Sequence, residues 1–147
     1  MSRPSLRPFR PEDYAAARAL WLGTEGVNLS PGDEEAEVRA FLARNEGLSL
    51  VAVDGDALVA AVLCGHDGRR GYIYHLAVAP SHRRRGLGRA IVVRCLDALG
   101  AAGIRRGQVS VFATNALAHR FWTSLGGQLR SDLVVFSIPL GGVGHSG

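Results

Sequence analysis

The sequence predicts an α/β (α+β) fold with the element order β-α-α-β-β-β-α-β-α-β-β. The chain has 147 residues, of which 47% are apolar and 20% are charged, and this is the size and composition of one ordinary globular domain. Stretches with helical spacing of apolar residues alternate with short apolar runs that Gly, Pro and Asp interrupt. No repeat or linker divides the chain, so we expect a single domain over residues 1–147, with a disordered Gly-rich tail at 141–147.

The first half of the chain is predicted to contain a strand, two helices and a hairpin. Pro11 and the two acids after it are typical of a helix start, and Trp21 lies on the apolar face of that helix. Ser30 and Asp33 have the spacing of a capping box, which predicts the start of a second helix with Phe41 on its buried face. The predicted elements are a strand at 5–9, a helix from 11 that ends at 23, a helix from 30 that ends at 47, and hairpin strands at 48–53 and 58–64.

The second half is predicted to alternate strands with helices. Pro80 ends a strand that begins at Tyr72, and Gly103 ends a long helix whose apolar residues form one stripe. The predicted elements are a strand at 72–79, a helix from about 86 to 102, a strand at 108–113, a helix at 115–125, a short strand at 128–130 and a final strand at 133–140.

The basic residues are concentrated in one part of the chain. All 17 are Arg, and seven of them fall between Gly68 and Leu96, where there is no acid. Residues 11–56 have the opposite balance, with three Arg against ten acids. A protein that binds nucleic acid along an extended face would be expected to spread its cations more widely. The distribution therefore favours one compact anion as the partner and argues against nucleic acid.

Cysteine usage and hydropathy restrict the setting of the protein. Cys64 and Cys95 have neither metal-ligand spacing nor a C-x-x-C arrangement, which favours reduced, buried thiols and no metal site. The chain has no apolar stretch of about 20 residues, and its first residues lack the apolar segment of a secretory signal. We expect a cytoplasmic protein that does not insert into a membrane.

Residues 72–90, which read YIYHLAVAPSHRRRGLGRA, contain the strongest sign of function. A strand ends at a proline, three arginines follow, and Gly86 and Gly88 open an amphipathic helix. A helix N-terminus has unpaired N–H groups, and glycines let a phosphate approach them, so the pattern predicts a phosphate-ester site. It is neither a Walker A loop nor a dinucleotide fingerprint, because no G-K-[ST] follows and Ile91 replaces the third glycine. The alternative is a solvated arginine run without a ligand.

Two motifs then resemble those of the GCN5-related N-acetyltransferase (GNAT) superfamily. Val78-x-Pro80-x-x-Arg83-x-x-Gly86-x-Gly88 resembles the family's V-x-P followed by its [QR]-x-x-G-x-[GA] acetyl-coenzyme A signature, and residues 115–126 are similar to its N-x-x-A-x-x-F-Y-x-x-L-G-F motif. Residues 65–71 resemble a small group of bacterial acetyltransferase-like proteins. The resemblance implies a mixed, mostly antiparallel central sheet flanked by four helices, with acetyl-coenzyme A as cosubstrate. It also implies transfer of the acetyl group to a primary amine of a small molecule, peptide or protein by direct attack on the thioester.

The resemblance assigns roles in cofactor binding to particular positions. The backbone of Val78 would polarise the thioester carbonyl, and Asn115 would bond the pantetheine arm. The residues expected to contact the cofactor are Leu76, Ala77, Val78, Arg83, Arg84, Arg85, Gly86, Leu87, Gly88, Arg89, Asn115 and Trp122. Because dimers are common in the family, a homodimer through residues 133–140 is also expected.

The catalytic groups are predicted less directly, because Trp122 stands where the family has its tyrosine acid. His75 is the candidate base, since it occupies a position where many relatives have a carboxylate, although a histidine bonded within the sheet is the alternative. Tyr74 is a weaker candidate, and both it and Tyr72 are open to roles in the core, in the acceptor-site wall or in a proton relay. His82 is expected to be exposed. The leading hypothesis is an N-acetyltransferase, and the alternative is an acyl-coenzyme A-binding module that has lost efficient transfer.

Overall fold

The computed structural model describes residues 3–141, in which five strands and four α-helices follow the predicted order up to the last helix. The strands are β1 (Ser5–Pro8), β2 (Leu50–Asp54), β3 (Ala57–His66), β4 (Gly71–Val78) and β5 (Gly107–Val109). The helices are α1 (Tyr14–Leu22), α2 (Glu35–Arg44), α3 (Leu87–Ala101) and α4 (Ala116–Ser124). Short 3-10 turns occur at Pro11–Asp13, Pro31–Asp33 and Pro80–His82. All but one of the predicted tail residues, 142–147, lie outside the described residues.

The described chain forms two compact units, one that ends at Phe112 and one that begins at Ala113. The whole sheet belongs to the first unit, and its strands are neighbours in chain order from β1 to β5. The first three pairings are antiparallel, and only β4 and β5 pair in parallel. The predicted mixed, mostly antiparallel sheet is therefore confirmed. Among residues 3–141, none of the helices combines the length and the apolar character that crossing a bilayer would demand.

Both faces of the sheet in the first unit are covered by helices, because β3 is apolar on both sides. Leu63 of β3 packs in a cluster with Trp21 of α1 and Val38 of α2. The next residue, Cys64, lies instead beside Cys95 of α3, as strand alternation requires. The interaction with Cys64, together with burial, holds the pKa of the Cys95 thiol far above its ordinary value, so Cys95 stays protonated. Both cysteines are buried and neither forms a disulfide.

Strand β4 contains a bulge that changes which side chains share a face. Ala61 of β3 pairs with Ala77, but Leu63, two residues further along, pairs with Tyr74, so β4 carries one extra residue between these pairs. His75 within this step has a φ of 55°, a left-handed conformation that is uncommon for a residue with a side chain. The indole N–H of the fully buried Trp21 donates to the His75 carbonyl at 2.7 Å and so holds the displaced backbone.

The two strands predicted after α4 do not form, and this part of the prediction is wrong. Residues 128–130 and 133–140 have no strand pairing in the described structure. Leu133 is 58% exposed and Leu140 is 97% exposed, so this apolar run is largely open to solvent. The β-branched and aromatic residues there favour a strand only where a neighbouring strand accepts their hydrogen bonds. The fifth strand is likewise shorter than predicted, ending at Val109 instead of Ala113.

Within the second unit, α4 is closed at both ends by its own sequence. The side-chain oxygen of Asn115 accepts the Ala118 N–H at 3.1 Å, which caps the helix start. At the other end Gly126, with a φ of 90°, donates to Thr123, and Gly127 donates to Trp122. These two bonds form a Schellman motif, which accounts for the paired glycines.

Candidate active site

The N-terminus of α3 presents a row of backbone donors, as the sequence predicts. The first backbone hydrogen bond of the helix runs from Ala90 to the Gly86 carbonyl, so the N–H groups of Leu87, Gly88 and Arg89 have no partner within the helix. Gly86 is the N-cap residue with a φ of 78°, and Arg84 also has a left-handed φ, of 63°. Residues 83–84 form a turn and residues 85–86 a bend. Successive N–H groups in a turn of this kind can form a concave anion-binding nest.

Arginine side chains surround this nest without being neutralised by acids. Arg84, Arg85 and Arg89 are exposed, and none of them forms an ion pair with any residue between 3 and 141. Arg83 is also exposed, and its Nε donates to the Val78 carbonyl at 2.8 Å, which ties the arginine run to the end of β4. The charge is therefore available to an anion bound at the α3 N-terminus.

His82 anchors the start of this loop, contrary to the expectation that it is exposed. Its Nε2 lies 2.8 Å from the Asp54 carboxylate at the end of β2, and its Nδ1 lies 2.7 Å from the Ser81 hydroxyl. Only 14% of its side chain is accessible to solvent. Both ring nitrogens are engaged, so His82 supports the loop instead of facing solvent beside the arginines.

A gap opens beside the second half of β4. The parallel pairing with β5 ends at Ile73 and Val109, whereas β4 continues to Val78. Ala79 donates its N–H to Val59 of β3 at 2.8 Å, and successive N–H groups along a strand point in opposite directions. The Val78 N–H therefore points away from β3, toward the side that β5 has left. Leu76, Ala77 and Val78 line this edge of the strand, close in sequence to the arginine run that precedes α3.

A cavity of about 380 Å³ lies next to the bulge in β4. Its polar side carries two carboxylates, those of Asp33 and Glu37, and its apolar side includes Phe41. The ten residues that line it are Asn28, Ser30, Gly32, Asp33, Glu37, Val38, Phe41, Leu63, Tyr74 and His75. Apart from the His75 imidazole, none of these residues can carry a positive charge, so the cavity is suited to a cationic group.

The bulge brings two neighbouring residues of β4, Tyr74 and His75, to the same cavity. Adjacent strand residues ordinarily face opposite sides of a sheet, and the left-handed conformation of His75 removes that separation. Both side chains therefore line one cavity although they are neighbours in the strand. Tyr74 is 40% exposed and packs edge-on against Phe41, while Tyr72 stacks on Tyr74 with ring centroids 6.1 Å apart. Neither tyrosine belongs to the buried core.

His75 is held by contacts on three sides. Its Nε2 lies 2.8 Å from Oδ1 of Asp33, its ring lies 5.4 Å from that of Trp21, and its carbonyl accepts the Trp21 indole N–H. The histidine is thus neither solvent-exposed nor bonded within the sheet by its side chain. Burial raises the pKa of the Tyr74 phenol, and the neighbouring Tyr72 and Asp67 add to the shift, so Tyr74 remains protonated through the neutral range.

The two remaining predicted site residues, Asn115 and Trp122, lie on α4 in the second unit. The Asn115 oxygen is engaged in the helix cap, and the Trp122 ring packs edge-on against Phe121 at 5.0 Å. Their assignment to cofactor binding stays a prediction.

Sequence reasoning missed the acidic side of the cavity. The capping-box spacing accounts for Asp33 only as the cap of a helix start, and no motif in the sequence marks Glu37 as part of a site. A capping box uses one carboxylate oxygen, so the spare oxygen of Asp33 could not be assigned without the fold. Among residues 3–141, there is no group of three or more His, Cys, Asp or Glu side chains arranged to hold a metal ion.

Comparison with known proteins identifies what the chain is similar to. The model of the acetyltransferase (GNAT) family matches residues 14–126. An acetyltransferase of Photorhabdus laumondii is 34% identical over 99 residues, which are 67% of this chain and 68% of that protein.

Solved structures share the fold. An aminoglycoside antibiotic 6'-N-acetyltransferase from Acinetobacter haemolyticus aligns with a TM-score of 0.74 and 19% identity, over 92% of this chain and 99% of that one. A predicted acetyltransferase from Clostridium acetobutylicum, solved with acetyl-CoA, aligns with a TM-score of 0.73 and 16% identity, over 92% of this chain and 96% of that one. At these identities the likeness concerns the fold.

Proposed function

This chain belongs to the acetyltransferase (GNAT) family and is an acyltransferase, and we propose that it transfers an acetyl group from acetyl-coenzyme A to a primary amine held in the cavity beside His75. The observation that carries the proposal is the arrangement along one strand. Within β4 and the loop after it, the cavity residue His75, the Val78 N–H that points away from β3, and the backbone donors at Gly86 follow one another over twelve residues.

The residues of the first unit fit acetyl-coenzyme A. The N–H groups from Arg84 to Arg89 and the exposed arginines among them would hold the diphosphate, because a helix N-terminus and free cations both favour a compact anion. The open edge of β4 at residues 76–78 would hydrogen-bond the pantetheine arm in the way that an exposed sheet edge binds an added strand. When bound, acetyl-coenzyme A supplies the thioester whose acyl carbon the amine attacks.

Three groups of the chain would assist the transfer. The Val78 N–H, aimed into the gap, would donate to the thioester carbonyl as negative charge develops on its oxygen. His75 would accept a proton from the attacking amine, and histidine suits this role because its ordinary pKa lies near neutrality. Tyr74, kept protonated by its environment, would return a proton to the leaving thiolate, the role that Trp122 cannot fill.

We propose a cationic acceptor because of the charges around the cavity. Glu37 is exposed at the cavity and forms no ion pair with another described residue, so its charge is open to a ligand. Phe41 and Tyr74 supply aromatic surface on which an aliphatic ammonium could rest. The structurally similar aminoglycoside enzyme has by its name a polycationic class of acceptor, and amines of that kind therefore belong in the first panel tested.

The test is an assay of thiol release with acetyl-coenzyme A and a panel of aliphatic mono-, di- and polyamines, aminoglycosides and peptides. The absence of lysine from the chain limits background from acetylation of its own side chains. We expect His75→Ala to lower kcat by about 100-fold or more with the KM for acetyl-coenzyme A unchanged, as removal of a general base does. Release that is equally fast in His75→Ala would overturn the assignment of the base.

Cofactor binding is tested separately by titration with coenzyme A. Gly86→Glu places a strained, negative residue in the nest, whereas Gly103→Glu introduces the same change at a similar φ, of 86°, just beyond the opposite end of α3. We expect binding to be lost in Gly86→Glu and kept in Gly103→Glu. Equal binding by both variants would remove the phosphate site from the proposal, and DNA binding in its place would support a nucleic-acid role for the arginines.

A second candidate function is an acyl-coenzyme A-binding module with weak or lost transfer, which Trp122 at the family's tyrosine position favours. This candidate predicts micromolar coenzyme A binding together with no thiol release for any amine. Trp122→Tyr discriminates further: if the indole has no role of its own, the substitution will not lower the rate, whereas a large loss would show that it has one.

A further inference from the structure

We propose that Asp33 is a positioning residue for His75, holding the imidazole in the tautomer that has its proton on Nε2 and leaves Nδ1 as the base. This inference rests on the proposed function and adds to it a second residue, supplied by a different part of the fold. Asp33 lies in the 3-10 turn before α2, and His75 lies in the bulge of β4, 42 residues away.

The contact between the two side chains is short and shielded. Asp33 Oδ1 and His75 Nε2 are 2.8 Å apart, and the side chains are 12% and 18% exposed. An ionised carboxylate can only accept hydrogen bonds, so the proton in this contact belongs to the imidazole. A neutral ring with its proton on Nε2 has its lone pair on Nδ1. Within residues 3–141, no hydrogen bond to that nitrogen is formed.

Asp33 is held in place by contacts other than the one with His75. Its other carboxylate oxygen, Oδ2, accepts the Ser30 N–H at 2.9 Å and lies 3.3 Å from the Ser30 hydroxyl. Its backbone carbonyl accepts the Tyr14 hydroxyl at 2.6 Å. Capping therefore occupies one oxygen and leaves the other directed at the ring. A group held in this way loses little freedom when it orients a partner, which is what a positioning residue requires.

The backbone and the ring of His75 are also fixed in one orientation. Its left-handed backbone conformation persists although that conformation is unfavourable for a residue with a side chain. Strain of this kind survives only where the surroundings determine the conformation, and here the Trp21 indole bonds the carbonyl while Asp33 bonds the ring. The His75 imidazole therefore lines the cavity with Nε2 hydrogen-bonded to Asp33 and Nδ1 available to accept a proton.

The arrangement matches what the transfer needs. As the C–N bond of the amide forms, the amine nitrogen must lose one proton, and as the C–S bond breaks, the thiolate must gain one. His75 Nδ1 takes the first proton, and the positive ring that results faces the Asp33 carboxylate. The carboxylate thus selects the tautomer and stabilises the protonated ring without touching the substrate.

The experiment compares Asp33→Asn with Glu37→Gln. The asparagine oxygen can still accept the Ser30 N–H, but its amide group would donate to Nε2 and move the ring proton to Nδ1. Glu37→Gln removes the same charge from the same cavity, and Glu37 forms no hydrogen bond to His75. Long-range ¹H–¹⁵N spectra of protein labelled at histidine report the tautomer of His75 without any substrate, with His75→Ala to assign the signal.

We expect the Nε2–H tautomer in the wild-type protein and in Glu37→Gln, and the Nδ1–H tautomer in Asp33→Asn. With an accepted amine, kcat in Asp33→Asn should fall by about 10² to 10⁴-fold while the KM for acetyl-coenzyme A stays within about twofold. Should Asp33→Asn fail to fold, Asp33→Glu keeps the carboxylate, and it should retain the Nε2–H tautomer and more activity than Asp33→Ala.

The outcomes separate the two proposals. The expected tautomers support the role of Asp33 even if no amine in the panel is acetylated, and in that case the failure counts against the proposed function. A wild-type Nδ1–H tautomer, or a wild-type tautomer retained in Asp33→Asn, overturns the role of Asp33 whatever the activity. Normal kcat in a folded Asp33→Asn also overturns it.

Discussion

The substitution Trp21→Phe tests whether the indole N–H holds the bulge on which the site depends. Trp21 is fully buried, and its N–H donates at 2.7 Å to the carbonyl of His75. Phenylalanine removes this donor and leaves the carbonyl without its partner, which costs about 1–3 kcal/mol. The smaller ring also loses packing contacts. We expect this to lower the free energy of unfolding by about 1 kcal/mol more, a fraction of the cost of replacing a buried tryptophan by alanine.

The sum is a loss of about 2–4 kcal/mol in the free energy of unfolding, or about 8–16 °C in Tm for a unit of this size. Urea and thermal unfolding measure it, with Trp122→Phe as the matched control. Trp122 is half-buried in the second unit and packs edge-on against Phe121, so that change should cost about 1 kcal/mol or less.

Activity provides the second measurement on the same variant. Without the indole bond, the left-handed His75 can relax toward ordinary strand geometry and move its ring away from the cavity. We therefore expect kcat to fall by about tenfold or more, with the KM for acetyl-coenzyme A unchanged, as for a displaced catalytic group. Unfolding within about 0.5 kcal/mol of the wild type would refute the claim that this bond holds the bulge.

The other predictions concern packing, pH and the phosphate loop. Gly65→Ala should destabilise the protein by about 2 kcal/mol or more in urea unfolding, because the added Cβ would lie 2.6–2.7 Å from side chains of α2 and its cap. The control is Gly100→Ala in α3, where the added Cβ meets nothing within 4 Å, so this variant should be neutral or stabilising. The pKa of Asp13 is lowered chiefly by its hydrogen bonds from Arg7. The stability that this pair adds is therefore present above the ordinary carboxyl pKa and is lost as the pH falls below it. The difference in unfolding free energy between wild type and Asp13→Asn should narrow as the pH is lowered from about 6 to about 2.5. His82→Ala removes the hydrogen bond to Asp54 that anchors the loop before α3, so the Kd for coenzyme A should rise several-fold without a change in amine KM. An unaltered Kd would mean that the loop keeps its shape without this bond.

The local features of the site could be predicted from sequence because each depends on neighbours in the chain. The nest at Gly86 follows from two glycines at a helix start, and the end of β4 follows from Pro80. Gly23 ends α1 as predicted, but Pro11 and the capping box at Ser30 start short 3-10 turns, and the two α-helices begin only after them, at Tyr14 and Glu35. These signals act over a few residues, and the structure places them within a few positions of the predictions.

The features that could not be predicted depend on pairing across the fold. The bulge at His75 exists because β3 and β4 keep register on both sides of it, and no local pattern marks the extra residue. The contact with Asp33 joins positions 42 residues apart. The prediction of a last strand at 133–140 was wrong because it used strand propensity alone, and propensity does not show whether a neighbouring strand is there to pair with.

The strained geometry at His75 bears on whether the chain catalyses transfer or only binds the acyl carrier. Binding needs the donors at the start of α3 and the open edge of β4, and neither feature requires a carboxylate against the His75 ring. A histidine in a left-handed conformation, bonded at its carbonyl by Trp21 and at its ring by Asp33, costs free energy that cofactor binding alone does not explain. Such costs are concentrated where a group must be held in one orientation for chemistry. The arrangement therefore favours an active acetyltransferase over a binding module, despite the tryptophan at position 122.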